Sequence, residues 1–192
     1  MLFWMILIAA AALGIYVVVD FNRLVRTRQM ANEAWSGIDV QLKRRSDLVP
    51  NLVEAVKAYA AHERSVLQEV TEARGTARAL PADDVARRAQ AEGALSAALG
   101  RLIALAENYP DLKASGNFLE LQQQLSDLEN EIQMARRYYN GAVRNLNVLV
   151  QSFPSSLIAD LFGFEQRQYF EISDAAERAA PEVRLQTAQP AR

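Results

Sequence analysis

The sequence predicts an all-α protein in which an N-terminal transmembrane helix continues into a long-helix, antiparallel, coiled-coil-like bundle. Three observations carry that prediction. The chain opens on an 18-residue run without a charge, Leu2 to Val19. Beyond it, apolar residues recur at alternating spacings of three and four, the period of helices packed along a seam. Glycine and proline are scarce, at 8 and 6 among 192 residues, so few breaks interrupt the pattern.

At about 1.5 Å per residue the apolar run spans roughly 27 Å, close to the hydrocarbon thickness of a bilayer. Asp20 ends it, and Trp4 and Tyr16 sit near its two ends, where amphipathic rings favour the interface. A cleaved signal peptide would call for basic residues ahead of the run and a small-x-small cleavage site. Nothing basic precedes Leu2, and Leu13-Gly14-Ile15-Tyr16-Val17-Val18-Val19 suits cleavage poorly. Residues 1–19 are therefore read as an uncleaved anchor. Arg23, Arg26 and Arg28 follow it. Cationic flanks stay on the cytoplasmic side, so the expected topology is N-terminus out and bundle in the cytoplasm, at a bacterial inner membrane. The same arginines can touch anionic head groups, making membrane lipids a partner, or serve only as topology determinants.

Residues 20–170 form the expected bundle. Its first helix is placed at about 20–78, with a stripe of Trp35, Ile38 and Leu42, then Val49, Leu52, Val56 and Tyr59, then Val66, Val70 and Ala73. Arg45 and Glu63 interrupt that stripe. Pro50 should kink the helix, because it cannot donate to the carbonyl four residues back. A second helix, about 83–108, can be capped by Asp83 or Asp84 and carries Leu95, Leu99, Leu102 and Ala106 on one face. The third, 116–153, has the most regular stripe, Leu121, Leu125, Leu128, Ile132, Ala135, Tyr139, Ala142, Leu146, Leu149 and Phe153. A short segment at 156–163 is expected to fold back on the bundle, and residues 171–192, Ala-rich and Pro-punctuated, to be a disordered tail.

Helix lengths then predict a gap. At helical rise the three helices below the membrane span roughly 85, 39 and 54 Å, and short connections make neighbours antiparallel. The second would return only to the level of Pro50, leaving residues 24–45 without a partner from their own chain. Trp35, Ile38 and Leu42 would be exposed there, so a homo-oligomer covering them is expected.

Signs of catalysis are sparse. A net charge of −2 argues against nucleic-acid binding by bulk electrostatics, and the absence of cysteine removes disulfides and thiolate chemistry. The single histidine, His62, and its neighbour Glu63 project about 100° apart on a helix and cannot hold a metal alone. No glycine phosphate loop, nucleophile elbow or HExxH occurs. No enzyme activity and no cofactor are expected. Lys43-Arg44-Arg45, flanked by Asp39 and Asp47 at i+4 spacing, reads as local ion pairing in preference to a binding patch. Arg45 is expected to be semi-buried against a carboxylate, specifying bundle register. Asn140 and Asn147, one heptad apart, suggest register-setting hydrogen bonds between helices in preference to a ligand site. Trp35, Tyr138, Tyr139 and Phe153 are read as core aromatics.

Several stretches together resemble a known family. Ala34-Trp35-Ser36-Gly37-Ile38-Asp39-Val40-Gln41-Leu42-Lys43-Arg44-Arg45, Asp47-Leu48-Val49-Pro50-Asn51-Leu52-Val53, Lys57-Ala58-Tyr59-Ala60 with His62-Glu63, and Tyr109-Pro110-Asp111-Leu112-Lys113-Ala114 resemble the LemA signature. Phe118 with Leu121-Gln122, Ala135-Arg136 with Tyr139-Asn140, and Phe153-Pro154 fit it too; Leu146-Asn147 stands where relatives tend to carry a second Tyr-Asn. The resemblance covers residues 20–170 and implies a bacterial protein, single-pass or lipid-anchored, built on a long-helix bundle without established enzymatic activity. One branch of that family takes part in forming magnetosome membranes, and others are encoded near a membrane zinc metalloprotease. The function expected is a membrane-anchored scaffold that self-associates and organises or remodels the inner membrane. The alternative is an adaptor recruiting a membrane-protein client such as a quality-control metalloprotease.

Overall fold

The computed structural model describes residues 1–171, so the expected tail lies almost wholly outside the described residues. Six helices and no strand occur among them. The first, α1 (Leu2–Lys57), is one uninterrupted helix from the apolar run into the bundle. An apolar window of mean hydropathy 2.6 near its N-terminus is long enough to cross a membrane, and none of that window is buried by the rest of the chain.

The chain reverses at residues 58–63, and α2 (Arg64–Ala79) returns alongside α1, with the Arg74 Nε donating to the Ser46 carbonyl at 2.7 Å. Next, α3 (Val85–Ala106) starts under a cap in which the Asp84 Oδ1 accepts from the Arg87 amide at 3.2 Å. A single turn, α4 (Pro110–Lys113), has proline in its first turn, where the missing N–H costs nothing. The long α5 (Gly116–Gln151) then runs back beside α1, and α6 (Ser155–Leu161) follows at its end. Gly163 closes α6 with φ +67°, the left-handed conformation glycine tolerates. Residues 164–171 run on without helix.

Three apolar clusters fill the bundle. The distal one joins Leu52, Val56, Val70, Leu95, Leu102, Leu112 and Phe118. A middle one holds Ile38, Leu42, Ile132, Tyr139 and Phe170, and a membrane-proximal one holds Leu24, Leu146, Leu149, Ile158 and Phe164. Residues 24, 38 and 52 of α1 thus meet residues of α5 or its neighbours at every level.

This corrects two expectations. The helix expected at 20–78 is two helices; the first, α1, contains Pro50 at an exposed position without a break in the helix, which leaves the expected kink there untouched. The reversal comes at Ala58–Glu63 instead, where Ala60 is buried in the distal core and the Tyr109 hydroxyl donates to the Glu63 Oε1 at 3.2 Å. The extra reversal makes four long passes instead of three, so α5 climbs back toward the anchor. In consequence Trp35, Ile38 and Leu42 are not left uncovered: Ile38 and Leu42 are fully buried, and Trp35 packs half-buried against the same cluster.

Because the chain itself covers these residues, Ile38→Ala or Leu42→Ala is expected to cost about 2–5 kcal/mol of unfolding free energy. Denaturant midpoints measured on solubilised protein should show that loss unchanged on dilution. A loss that appears only at high protein concentration would mean a second copy covers the stripe.

Candidate functional site

At mid-bundle the Arg45 guanidinium is shut away from water. Its Nη2 donates to the Glu92 Oε2 at 2.6 Å and to the Glu92 carbonyl at 3.3 Å; its Nη1 donates to the Ser96 Oγ and to the Glu129 Oε2, both at 2.7 Å. The Glu92 side chain is also buried, while Glu129 is partly open to solvent. Arg45 Nε has no acceptor among the described residues. One side chain of α1 therefore makes three hydrogen bonds to α3 and one to α5.

The neighbouring charges pair across helices. Asp39 is bound by Arg88 of α3, and Asp47 by Arg78 of α2 at 3.2 Å. This corrects the expectation of i+4 pairs within α1: Arg44 instead donates to Gln41 at 3.1 Å. Aspartates facing a neighbouring helix find its long arginines at no cost to the helix of origin.

Asn140 and Asn147 both lie on α5, but their partners are not helices. The Asn147 Nδ2 donates to the Arg167 carbonyl at 2.9 Å while its Oδ1 accepts from the Arg167 amide at 2.8 Å. Asn140 does the same to Phe170, at 3.2 and 2.9 Å. A side-chain amide has the same donor–acceptor pair as a peptide unit, so each asparagine holds one residue of an extended strap. Between them the Tyr139 hydroxyl donates to the Gln168 carbonyl at 3.0 Å. Phe170 is fully buried, 5.5 Å from the Trp35 ring, which also lies 5.3 Å from Tyr139 and 5.9 Å from the Arg88 guanidinium. The expected helix–helix register bonds of Asn140 and Asn147 are thus replaced by a clasp on residues 167–170.

Burial raises the Tyr139 phenol above its ordinary value of 10.0, with the nearby Arg167 charge pulling the other way. The native state therefore favours the neutral, donating form. Stability from this group is full below pH 10 and is lost as pH rises through the raised native value.

Of the expected membrane-interface arginines, Arg23 and Arg26 are exposed just beyond the apolar run. Arg28 is half-buried, with its guanidinium 4.6 Å from the centre of the Phe164 ring. Asp20 is buried, and its Oδ2 has no hydrogen-bond partner among the described residues. His62 is exposed in the distal turn. Of the aromatics read as core, Tyr139 is buried, whereas Tyr138 is 58% and Phe153 81% exposed. Tyr138 lies about 100° around α5 from the buried Tyr139, on the side turned to solvent. An open cleft of about 850 Å³ lies beside the aromatic cluster, lined among others by Asn32, Trp35, Asp83, Asp84 and Arg167. Among the described residues no group of three or more His, Asp or Glu side chains is placed to hold a metal.

The model of the LemA family matches residues 34–185. The magnetosome protein MamQ of Magnetospirillum gryphiswaldense is 25% identical over 185 residues, covering 84% of this chain and 68% of its own length. The magnetosome protein MamQ 1 of Paramagnetospirillum magneticum is 24% identical with the same coverage. Protein LemA of Metamycoplasma hominis is 25% identical over 175 residues, covering 90% of this chain and 80% of its own.

Removing the cation alone should be costly: Arg45→Met leaves Glu92 buried without its partner, with an expected loss of about 3–5 kcal/mol in urea unfolding. Adding Glu92→Met should recover most of that loss. A double variant no more stable than the single one would show that the pair is not what Arg45→Met disrupts. For the strap, the thermal midpoint of the wild type should fall more steeply between about pH 10 and 12 than that of Tyr139→Phe. Equal slopes would remove the Tyr139 phenol from the account.

Proposed function

The chain belongs to the LemA family, and from that footing we propose that it is a membrane-anchored helical scaffold, acting by where it holds its bundle. The observation that carries this reading is the continuity of α1. The helix that leaves the apolar run is the same helix that carries Leu24, Ile38, Leu42, Leu52 and Val56 into the three cores. No linker intervenes, so the anchor and the bundle share one rigid backbone. From Asp20 to Lys57 that backbone extends 38 residues, about 57 Å at helical rise. A protein built this way sets a fixed distance and direction from the bilayer.

Relatives named as magnetosome proteins support a place at a membrane. Exposed Arg23 and Arg26, directly after the apolar run, favour a bundle on the cytoplasmic side of a bacterial inner membrane. Lateral association of subunits belongs to the proposal, but through surfaces other than Trp35, Ile38 and Leu42, which the chain itself covers. The open cleft beside Trp35 favours a second reading, an adaptor that docks a membrane-protein client there.

Full-length protein reconstituted into phosphatidylethanolamine–phosphatidylglycerol liposomes should form clusters or curve the vesicles, seen by electron cryomicroscopy. Dispersed monomers on unchanged vesicles would sink the scaffold reading. Proximity labelling in cells separates the two readings, since an adaptor returns one dominant foreign partner and a scaffold mainly returns itself.

A further inference from the structure

Helix α6 is amphipathic in the wrong sense for water. Its inward face, Ser155, Ile158 and Ala159, is buried against α5 and α1. Its outward face carries Leu157 at 62% and Leu161 at 75% exposure, flanked by Phe153 at 81% and Phe162 at 48%. Leu157 and Leu161, four residues apart on α6, line one side, and the exposed Phe153 lies in the turn just before the helix. A helix face turned to water normally carries charge there, whereas this one presents a contiguous patch of large apolar groups with Asp160 as its only acid.

The position of that patch decides what covers it. Ile158, Ala159 and Phe164 share a core with Leu24, and Val17, Phe21 and Val25 of α1 pack against the same core. Val17 belongs to the apolar run itself. Phe21 stands two residues, about 3 Å, past the end of that run. Its ring is 4.8 Å from Phe162 and 5.8 Å from Phe164. Thus α6 packs against α1 at the level where the apolar run ends, with its Leu157 and Leu161 side exposed there. The charged boundary begins just beyond, with Arg28 stacked on Phe164 from the bundle side.

The attachment is also firm. The Ser155 Oγ donates to the Leu149 and Ser152 carbonyls at 2.7 and 2.8 Å, tying the start of α6 to the end of α5. At its other end the Phe164 amide donates to the Ala159 carbonyl at 2.9 Å across the Gly163 turn. Beyond that turn the strap is clasped by Asn147, so α6 is held at both ends with its apolar side turned outward.

We propose that α6, with Phe153 and Phe162, is a second membrane contact: a foot whose Leu157–Leu161 face lies in the head-group–acyl boundary of the leaflet on the bundle's side. A single helix leaves a bundle free to rotate about the anchor axis. A foot beside it fixes that rotation, and with it the direction in which the Trp35 cleft faces. The inference rests on the reading of Leu2 to Val19 as a membrane span.

The chain contains no cysteine, so single labels can be placed without removing any native group. Full-length Leu157→Cys, Leu161→Cys, Val18→Cys and Tyr59→Cys, each carrying an environment-sensitive fluorophore, are reconstituted into phosphatidylcholine–phosphatidylglycerol vesicles with and without brominated acyl chains. All four positions are exposed on the chain, and circular dichroism checks that helicity is kept. Quenching at 157 and 161 is expected to fall within about twofold of that at 18, with none at the distal position 59. Quenching at 18 with none at 157 and 161 overturns the foot and leaves the anchor standing. Labels at 157 and 161 shielded from both brominated lipid and aqueous iodide also overturn it, because protein then covers the face. No quenching at 18 overturns the anchor reading itself, and the foot with it.

Discussion

A guanidinium withdrawn from water must find acceptors wherever it ends up, and Arg45 finds them on two other helices at once. Glu92 and Ser96 supply them from α3, and Glu129 from α5. Sliding any of these helices by one residue would leave a buried charge short of its partners, an error costing about 3–5 kcal/mol. The consequence can be followed up the bundle. Ten positions toward the anchor from Arg45 is Trp35, and ten along α5 from Glu129 is Tyr139; their rings meet at 5.3 Å. Twenty-one positions from the same two residues are Leu24 and Val150, which share the membrane-proximal core. Apolar contacts supply the bulk of the stabilisation, but many registers would bury leucines about as well. The Arg45 contacts to Glu92, Ser96 and Glu129 are all made in the register observed.

How much of this was legible in the sequence depends on whether the signal is local. The stripe of α5 is a property of adjacent turns, and nine of its ten members are buried or half-buried, with Phe153 the exception. Asp84 as a cap is likewise local. The reversal at 58–63 is not. Ala58-Tyr59-Ala60-Ala61-His62-Glu63 contains neither glycine nor proline, and every residue in it tolerates a helix. The turn forms because it lets Ala60 join the distal core and lets α2 cover α1, a gain no window of the sequence contains. Pro50 is the converse. Its local signal is strong, yet the helix continues through it, because packing of Val49 and Leu52 on either side outweighs one missing hydrogen bond.

The candidate site was half legible for a related reason. Arg45, Asn140 and Asn147 stand out as polar residues on apolar helices, and each proves to hold other parts of the chain together. What they hold could not be read. Residues 164–171 lack both the 3.6 and the 2.0 period, since an extended strap gripped by side chains pairs with no strand. Only the spacing of the asparagines hinted at it. Seven positions on a helix cover about 10.5 Å, and three residues of extended chain cover about 10 Å, so Asn147 and Asn140 match Arg167 and Phe170.

The two misread features are causally linked. If α1 and α2 were one helix, α5 would run away from the anchor, and α6 and the strap would sit at the far end of the rod. With the reversal at 58–63, α5 arrives beside Leu24 and delivers α6 against Val17 and Phe21. Phe153 then becomes intelligible. It continues the α5 stripe but falls just past the end of the helix, at the point where the bundle runs out of protein to bury it. A core stripe that ends in bare aromatic and leucine side chains has met a different apolar phase, and the one adjacent to Val17 is the bilayer. A six-residue turn, the length of the arm away from the anchor, thus determines which part of the chain lies against the membrane.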